Sequence, residues 1–396
     1  MSCLTQTPAL LLGTGITALG TARSLGSANV PAYLAAAYPD FEASSRWTKL
    51  LPVTCPHLEE DSALDVFLAS LPFDGAVLFP CSDFWVRSVA ALAPEMTSRF
   101  RASLSSADVL HSLSDKAELA RVLMENNIPH PLSVSVRDEK DVMNLAVQLK
   151  GNCFLKPRDS QAYFKRFKRK AVSADSPSEL VELYNQGKSS GFDLLVQEYI
   201  PGPPTSHFYL EGFIDRNREL TGLFARKRVR ISPPKFGNSS YTVSVDPTRY
   251  TTSITQLTAL LFRLSYRGIF SAEFKEDERD GRAKLLEINT RPWWYVEIPT
   301  LCGMNLVRMY YEDALEQQVT KVDRYEMNRS FVYPYYDICA FRESGPHNIK
   351  ETLSWFSSFA RADWITFEWS DPLPALLSGG RYTSRWFRER IKRRDA

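Results

Sequence analysis

Two acidic residues, set fourteen positions apart on either side of a charged turn, constrain this chain more than any other feature. The stretch from residue 269 to 294 reads IFSAEFKEDERDGRAKLLEINTRPWW. Residues 269–275 and 283–289 are runs of strand length, and the segment between them is charged and contains Asp280-Gly281. Side chains alternate faces along a strand, so the length of the turn decides which residues meet. A two-residue turn at Asp280-Gly281 sets Glu273 opposite Ile288. A three-residue loop of Arg279, Asp280 and Gly281, with the glycine in the left-handed region, sets Glu273 opposite Glu287 and puts Asn289 on the same face. Two carboxylates about 5 Å apart at Cβ repel, and hard cations give them a reason to coexist. Magnesium reaches proteins through one or two carboxylates plus substrate phosphates, so Glu273, Glu287 and the Asn289 carbonyl suit a metal-bound nucleotide better than an all-protein cage. Arg291 follows two residues later, within reach of a transferring phosphoryl group. The competing reading is a solvated hairpin with acids on its outer face.

A chain of 396 residues buries a sizeable core and predicts two or three domains. Its 44% hydrophobic and 24% charged content is that of an ordinary globular protein, and a net charge of +2 gives no reason to expect a polyanionic partner such as nucleic acid. Six cysteines are scattered without a Cys-x-x-Cys pair, which suggests neither a zinc site nor a disulfide framework and favours a reducing cytoplasm. The apolar run at residues 9–12 lacks a basic leader and is broken by Gly13 and Gly15, so it does not read as a signal peptide, and no stretch is long enough to span a bilayer.

The segment PALLLGTGITALG at residues 8–20 is a buried strand, a glycine turn and a helix start, a pattern that lets a phosphate approach exposed amides. The Gly13, Gly15, Gly20 spacing is two residues longer than the dinucleotide fingerprint, so strand–helix packing is the expected role of these glycines. GAVLFPCSD at residues 75–83 is a second buried strand running into a helix start at Ser82 or Asp83. Asp83 is read as a helix cap, with orientation of a substrate ammonium as the functional alternative. Ser114 is expected to cap an amphipathic helix that carries Lys116 in its first turn and ends before Pro129. In CFLKP a lysine, Lys156, ends an apolar strand that proline stops, so its ammonium projects from a sheet end and calls for an anion. The loop after it, RDSQAYFKRFKRK, is basic and aromatic. It suits a flap over a triphosphate, with Lys170 or Lys168 as a phosphate ligand, better than a short single-strand nucleic-acid patch. LLVQEYIPG at residues 194–202 is a buried strand that turns at Pro201-Gly202. His207 opens an alternating run, and Arg226-Lys227-Arg228-Val229-Arg230 places four cations in five residues. Alternation leaves only one of Lys227 and Arg228 facing inward, and that one is the expected γ-phosphate contact.

The order Arg-Lys-Arg, Pro-Pro-x-Phe-Gly, Tyr-Arg-Gly-x-x-Ser-x-Glu-Phe and Glu-x-Asn-x-Arg-Pro-Trp, over roughly residues 110 to 320, resembles bacterial carboxylate–amine ligases of the ATP-grasp superfamily, the D-aspartate ligase-like subgroup. The resemblance implies an α/β protein. An ATP-grasp domain at 113–320, with subdomains 113–196 and 197–320, follows a Rossmann-like domain at 1–112 and precedes a C-terminal extension at 321–396. It implies Glu273, Glu287 and Asn289 as ligands of Mg2+, with Mn2+ as a second choice, and ATP as the nucleotide. Lys116, Lys156 and Lys170 are implied on its phosphates, the hinge residues Gln197, Glu198, Tyr199 and Ile200 at its adenine, and His207 near its ribose or phosphates. Lys227 or Arg228 contacts the γ-phosphate, and Lys227 with Arg291 is expected to act in catalysis. The implied reaction joins a small-molecule carboxylate to an amine through an acyl phosphate, with amino acids or short peptides as substrates, in a cytoplasmic protein that forms a homodimer. An ATP-grasp carboxylase, a thioester-forming ligase or a nucleotide-sensing binding protein are the alternatives. Trp293, Trp294 and Tyr295 are read as core packing or acceptor-pocket lining. The basic end, RYTSRWFRERIKRR at residues 381–394, is read as a solvated terminal helix, or as a segment that lies on an anionic membrane.

Overall fold

The computed structural model describes residues 6–53, 55, 62–158, 163, 166–167, 171–234 and 237–379. Lys168, Lys170 and the basic end lie outside the described residues, so their expected roles have no structural counterpart below. Three sheets organise the chain. The first is parallel, in the order β3-β2-β1-β4-β5: β1 Ala9–Leu12, β2 Ala32–Ala35, β3 Thr48–Leu50, β4 Ala76–Pro80 and β5 Phe100–Arg101. β1 and β4 are buried along their whole length, as expected of a parallel sheet covered on both faces.

The glycine turn after β1 is a packing device. Gly13 has φ +125°, and a Cβ there would lie 3.2 Å from the Cys81 Cβ. Helix Gly15–Gly26 then runs almost wholly buried, and no side chain of its own caps it. Glu42 lies at its start, fully buried, where burial raises its carboxyl pKa and the N–H groups of Asp40, of Glu42 itself and of Gly15 offset that in part. The Glu42 Oε1 accepts from the Asp40 N–H at 2.8 Å, so a buried side-chain carboxyl group stands beside the start of this helix.

The second sheet is antiparallel, in the order β6-β9-β7-β8: β6 Ser133–Ser135, β7 Cys153–Pro157, β8 Val172–Ser173 and β9 Leu194–Glu198. Helices Glu139–Gln148 and Pro177–Ser189 cover one face, packing Val142, Ala146, Leu180 and Tyr184 on Leu155 and Val196. Before this sheet, the helix Lys116–Glu125 is capped by Asp115, whose carboxylate accepts from the N–H groups of Ala117 and Glu118. Ser114 instead ends the preceding helix, Ala107–Ser114. The acidic neighbour won the cap because its oxygen reaches two amides at once.

The third sheet has the order β14-β13-β10-β11-β12-β15-β16: β10 His207–Ile214, β11 Leu220–Ser232, β12 Asn238–Ser244, β13 Gly268–Glu276, β14 Ala283–Asn289, β15 Ser330–Val332 and β16 Asp363–Trp364. Residues beyond 320 therefore add two strands to the far edge of this sheet. Glu273 pairs directly with Glu287, the expected register, but the route to it differs. The turn is a four-residue loop closed by the Asp277 N–H on the Arg282 carbonyl at 2.9 Å, and a bulge at Leu286 restores the register that a three-residue loop alone would give. Asp277 widens the loop. Buried inside it, its carboxylate accepts from the Arg279 N–H at 3.0 Å, from Arg279 Nε at 2.8 Å and from Lys284 Nζ at 2.8 Å. Gly281 has φ +69° with nothing near the position of a Cβ. Gly281→Ala should therefore cost about 1 kcal/mol through the backbone alone, read as a lower denaturation midpoint with an unchanged slope.

Candidate active site

Alternation along the third sheet puts one set of side chains on a single face. His207, Tyr209 and Glu211 come from β10, Arg226 and Arg228 from β11, Ser271, Glu273 and Lys275 from β13, and Glu287 and Asn289 from β14. Glu273 is the centre of this set. Its Oε1 accepts from His207 Nδ1 at 2.8 Å, from Arg228 Nη2 at 2.9 Å and from the Tyr209 hydroxyl at 3.1 Å, while Oε2 takes none of these bonds. Burial alone would raise its pKa. Arg228, His207 and Tyr209 outweigh that and hold the carboxyl far below the usual carboxylate range. Burial lowers the His207 pKa, so the ring is neutral at pH 7 and its Nδ1–H donates to Glu273. His207 thus sits on the carboxylate expected to bind metal. Asn289 Nδ2 reaches Glu287 Oε1 at 3.3 Å, which places both residues on the same side.

Lys227 is on the other side. It pairs with Phe208, whose ring stacks on Tyr250 and Phe274 at 3.8 and 5.0 Å, so of the two residues the sequence left open it is Arg228, not Lys227, that shares a face with Glu273. The sequence left the two open because it did not show the phase of β11.

The second sheet brings Lys156, whose Nζ lies 3.4 Å from Gln197 Oε1, while Gln197 Nε2 donates to Ser133 at 2.7 Å. Lys116 Nζ donates to the Arg158 carbonyl at 2.9 Å. Burial first, and then the charge of Lys156, bring the Lys116 ammonium from its ordinary 10.5 down to about 8, against the pull of Glu287, Asp83 and Asp115. Lys116 therefore lies within the fields of both the strand-end Lys156 and Glu287 of β14.

At the end of β9, the Glu198 carboxylate accepts from the Leu132 N–H at 3.0 Å and from Arg279 at 2.5 Å, so it braces the second sheet against the third. Tyr199 donates its N–H to the Asn152 carbonyl at 2.9 Å. The Ile200 carbonyl accepts from Lys275 Nζ at 2.7 Å, and that ammonium lies 4.9 Å from the Tyr199 ring centroid. Lys275 went unnoticed in the sequence, although its alternation with Glu273 was the available signal.

Arg291 meets Asp83, the first residue of helix Asp83–Ala90 after β4, with Nε to Oδ1 at 2.6 Å and Nη2 to Oδ2 at 3.2 Å. Ser82 caps the helix there, which frees Asp83 for this pair. Burial would raise the Asp83 pKa, but Arg291, with Arg87 and Lys116, holds it below its ordinary value. Asp83 is closely surrounded and yet 39% exposed, as a side chain lining a cleft is.

A further group escaped the sequence reading: Arg226 pairs with Glu211 at 2.7 Å, both buried, and its guanidinium lies over the rings of Tyr209 and Tyr295 at 3.6 and 4.7 Å. Trp293 and Tyr295 are buried and belong to the core shared with the first sheet, which favours packing over pocket lining.

The donor set suits magnesium only with help. Among the described residues no three His, Cys, Asp or Glu side chains converge, so two carboxylates and an asparagine leave most of an octahedral shell to phosphate oxygens and water.

No family model matches the chain. It is 25% identical over 341 residues to the D-aspartate ligase of Enterococcus faecium (strain Aus0004), across 81% of this chain and 80% of that one. The biotin carboxylase domain of Hydrogenobacter thermophilus 2-oxoglutarate carboxylase, solved with MgADP and bicarbonate, superposes with a TM-score of 0.64 at 16% identity, covering 82% of this chain and 74% of that one. This is an ATP-grasp fold. The ATP-grasp architecture also matches L-amino acid ligase from Bacillus licheniformis, with a TM-score of 0.57 at 14% identity over 79% of this chain and 75% of that one. The parallel first sheet is the Rossmann-like part that precedes it.

Because the charged form of Lys116 is disfavoured on folding, the native chain holds fewer protons than the unfolded one between about pH 8 and 10.5, and this penalty is relieved as pH rises through that window. In lysine-labelled NMR titrations Lys156→Met should raise the Lys116 midpoint and Glu287→Gln should lower it. A midpoint that moves with neither change would mean that the three groups do not share one site.

Proposed function

We propose that this protein is an ATP-dependent ligase that joins a carboxylate to an amine, with the cleft between the second and third sheets holding ATP. The observation that carries this reading is Glu273 directly opposite Glu287, set among Lys116, Lys156, Arg228 and Arg291. Glu273, Glu287 and the Asn289 carbonyl would hold magnesium, which when bound would neutralise the triphosphate and polarise the transferred phosphoryl group. Lys116 and Lys156 hold phosphate oxygens, Arg228 orients Glu273 and lies nearest the γ-phosphate, and the Ile200 main chain faces adenine at the hinge.

The substrate carboxylate attacks the γ-phosphorus and the bond to the β-phosphate oxygen breaks, giving ADP and an acyl phosphate. The amine nitrogen then attacks the acyl carbon, forms the C–N bond and expels phosphate, with loss of one proton from nitrogen. Arg291 stabilises the charge that develops on the oxygens in both steps, and Asp83 fixes the plane of its guanidinium. The carboxylate substrate is an amino acid, with D-aspartate the first to try because of the Enterococcus relative, and the amine belongs to an amino acid or short peptide. The reaction takes place in the cytoplasm, and the protein acts as a homodimer, as the Hydrogenobacter domain is described.

Screening amino-acid pairs for ADP release, with hydroxylamine as a trap, tests the reading. Release that depends on both substrates, together with a hydroxamate from one of them, supports it. Release driven by bicarbonate without an amine indicates the carboxylase alternative. Glu287→Gln should lower ADP release by about a hundredfold or more, and unchanged turnover would remove this site from the reaction. Asp83→Asn should lower kcat by about tenfold and leave the KM for ATP unchanged, because it loosens Arg291 without touching the nucleotide.

A further inference from the structure

The proposed ligase chemistry makes no use of a band of apolar side chains left uncovered near the end of the described chain. On helix Ile349–Arg361, Ile349, Leu353 and Phe356 recur four and three residues apart, forming one stripe, and are 80%, 63% and 60% exposed. A chain of ring contacts starts from Trp355 of the same helix, passes through the buried Phe359 and surfaces again at Trp364, Phe367 and Trp369, with centroids 5.1, 5.2, 6.5 and 5.0 Å apart in turn. Trp369 ends this run at 91% exposure, and Leu373, Leu376 and Leu377 follow, each more than half exposed. So many large apolar groups left uncovered together mark an interaction surface.

The sequence that follows supplies the second half of the pattern. Residues 380–396 hold seven Lys and Arg against two Asp and Glu, a net +5 in a chain whose total is +2, so everything before them is net −3. Tyr382, Trp386, Phe387 and Ile391 are interleaved with those cations.

We propose that the exposed band and the basic segment together dock this protein on the surface of an anionic lipid bilayer. Apolar side chains and tryptophan settle at the boundary between headgroups and acyl chains, while arginine and lysine are drawn to anionic headgroups. Either signal alone binds weakly, and the two are adjacent in this chain. No helix among the described residues is long and apolar enough to cross a membrane, so the protein lies on the surface. Charge decides against the other occupants. A second copy on this band would bring with it a second net +5 segment that repels the first, and nucleic acid would have no use for an isoleucine and leucine stripe.

Flotation of the full-length protein with vesicles tests this without any assay of ligase activity. Binding to phosphatidylglycerol–phosphatidylcholine vesicles, and not to phosphatidylcholine alone, is expected. The exposed triple change Leu353→Ser, Phe356→Ser and Trp369→Ser should lower partition by about tenfold or more with circular dichroism unchanged. Arg385→Glu, Arg388→Glu and Arg393→Glu together should lower it by about a hundredfold or more. Equal recovery with neutral vesicles, no recovery with either kind, or full binding by either triple variant would overturn the proposal. So would light scattering that shows a dimer which dissociates in the Leu353, Phe356, Trp369 variant.

Discussion

Glu273 and Glu287 face each other across neighbouring strands, and the rest of the cleft is arranged so that this repulsion can be tolerated. Ladder pairing gives the two acids no choice of distance. Relief comes sideways, from β10 and β11, through His207, Tyr209 and Arg228 converging on one oxygen of Glu273. That convergence needs β13, β10 and β11 to be consecutive neighbours and in phase, so the order of strands in the third sheet is tied to the ionisation of one carboxylate. Because the bonds reach only Oε1, the group stays ionised while its second oxygen remains free of them. A deprotonated carboxylate with one unengaged oxygen is what a hard cation bound alongside phosphates requires.

The site also joins parts of the chain that share no strand. Asp83 comes from the helix after β4 of a parallel sheet, Lys156 from an antiparallel one and Arg291 from the turn after β14; Lys116 feels Asp83 and Lys156, and Asp83 feels Arg291 and Lys116. A lysine whose ammonium is destabilised by burial and by a second lysine gains more from an incoming polyanion than a solvated one does, because the anion relieves both penalties. The Asp83–Arg291 pair works in the opposite sense. It keeps a guanidinium charged and oriented where the first sheet meets the third, so the Rossmann-like part fixes the geometry of Arg291 as well as sharing a core with Trp293 and Tyr295.

Much of this was legible from residues alone, and the limits have physical causes. The pairing of Glu273 with Glu287 could be read because alternation and a glycine-bearing turn restrict register to a few choices. The actual loop was one residue longer, and a bulge compensated, because Asp277 folds its side chain into the turn, a tertiary choice that local turn rules do not contain. The choice between Lys227 and Arg228 hinged on strand phase, which only the partner strands fix. Glu198 looked like a hinge ligand because its position in the chain was right, but its carboxylate answers to Arg279, eighty-one residues away. Buried pairs such as Glu211 with Arg226 leave no local pattern, since each member looks like an ordinary charged residue until the sheet closes over it. The glycine turn after β1 misleads for a related reason, because the buried carboxyl group beside it arrives from Glu42, well beyond the motif.

The ties at Ile200 and Glu198 have a mechanical consequence. Lys275 on the Ile200 carbonyl and Arg279 on Glu198 fasten the small antiparallel sheet to the large one at a single end of β9, like two pins through one hinge plate. Any swing of the small sheet pivots there, so travel grows with distance from the pins. The opposite ends of β7 and β9, at Pro157 and Leu194, lie farthest from the pins and would travel most for a given rotation.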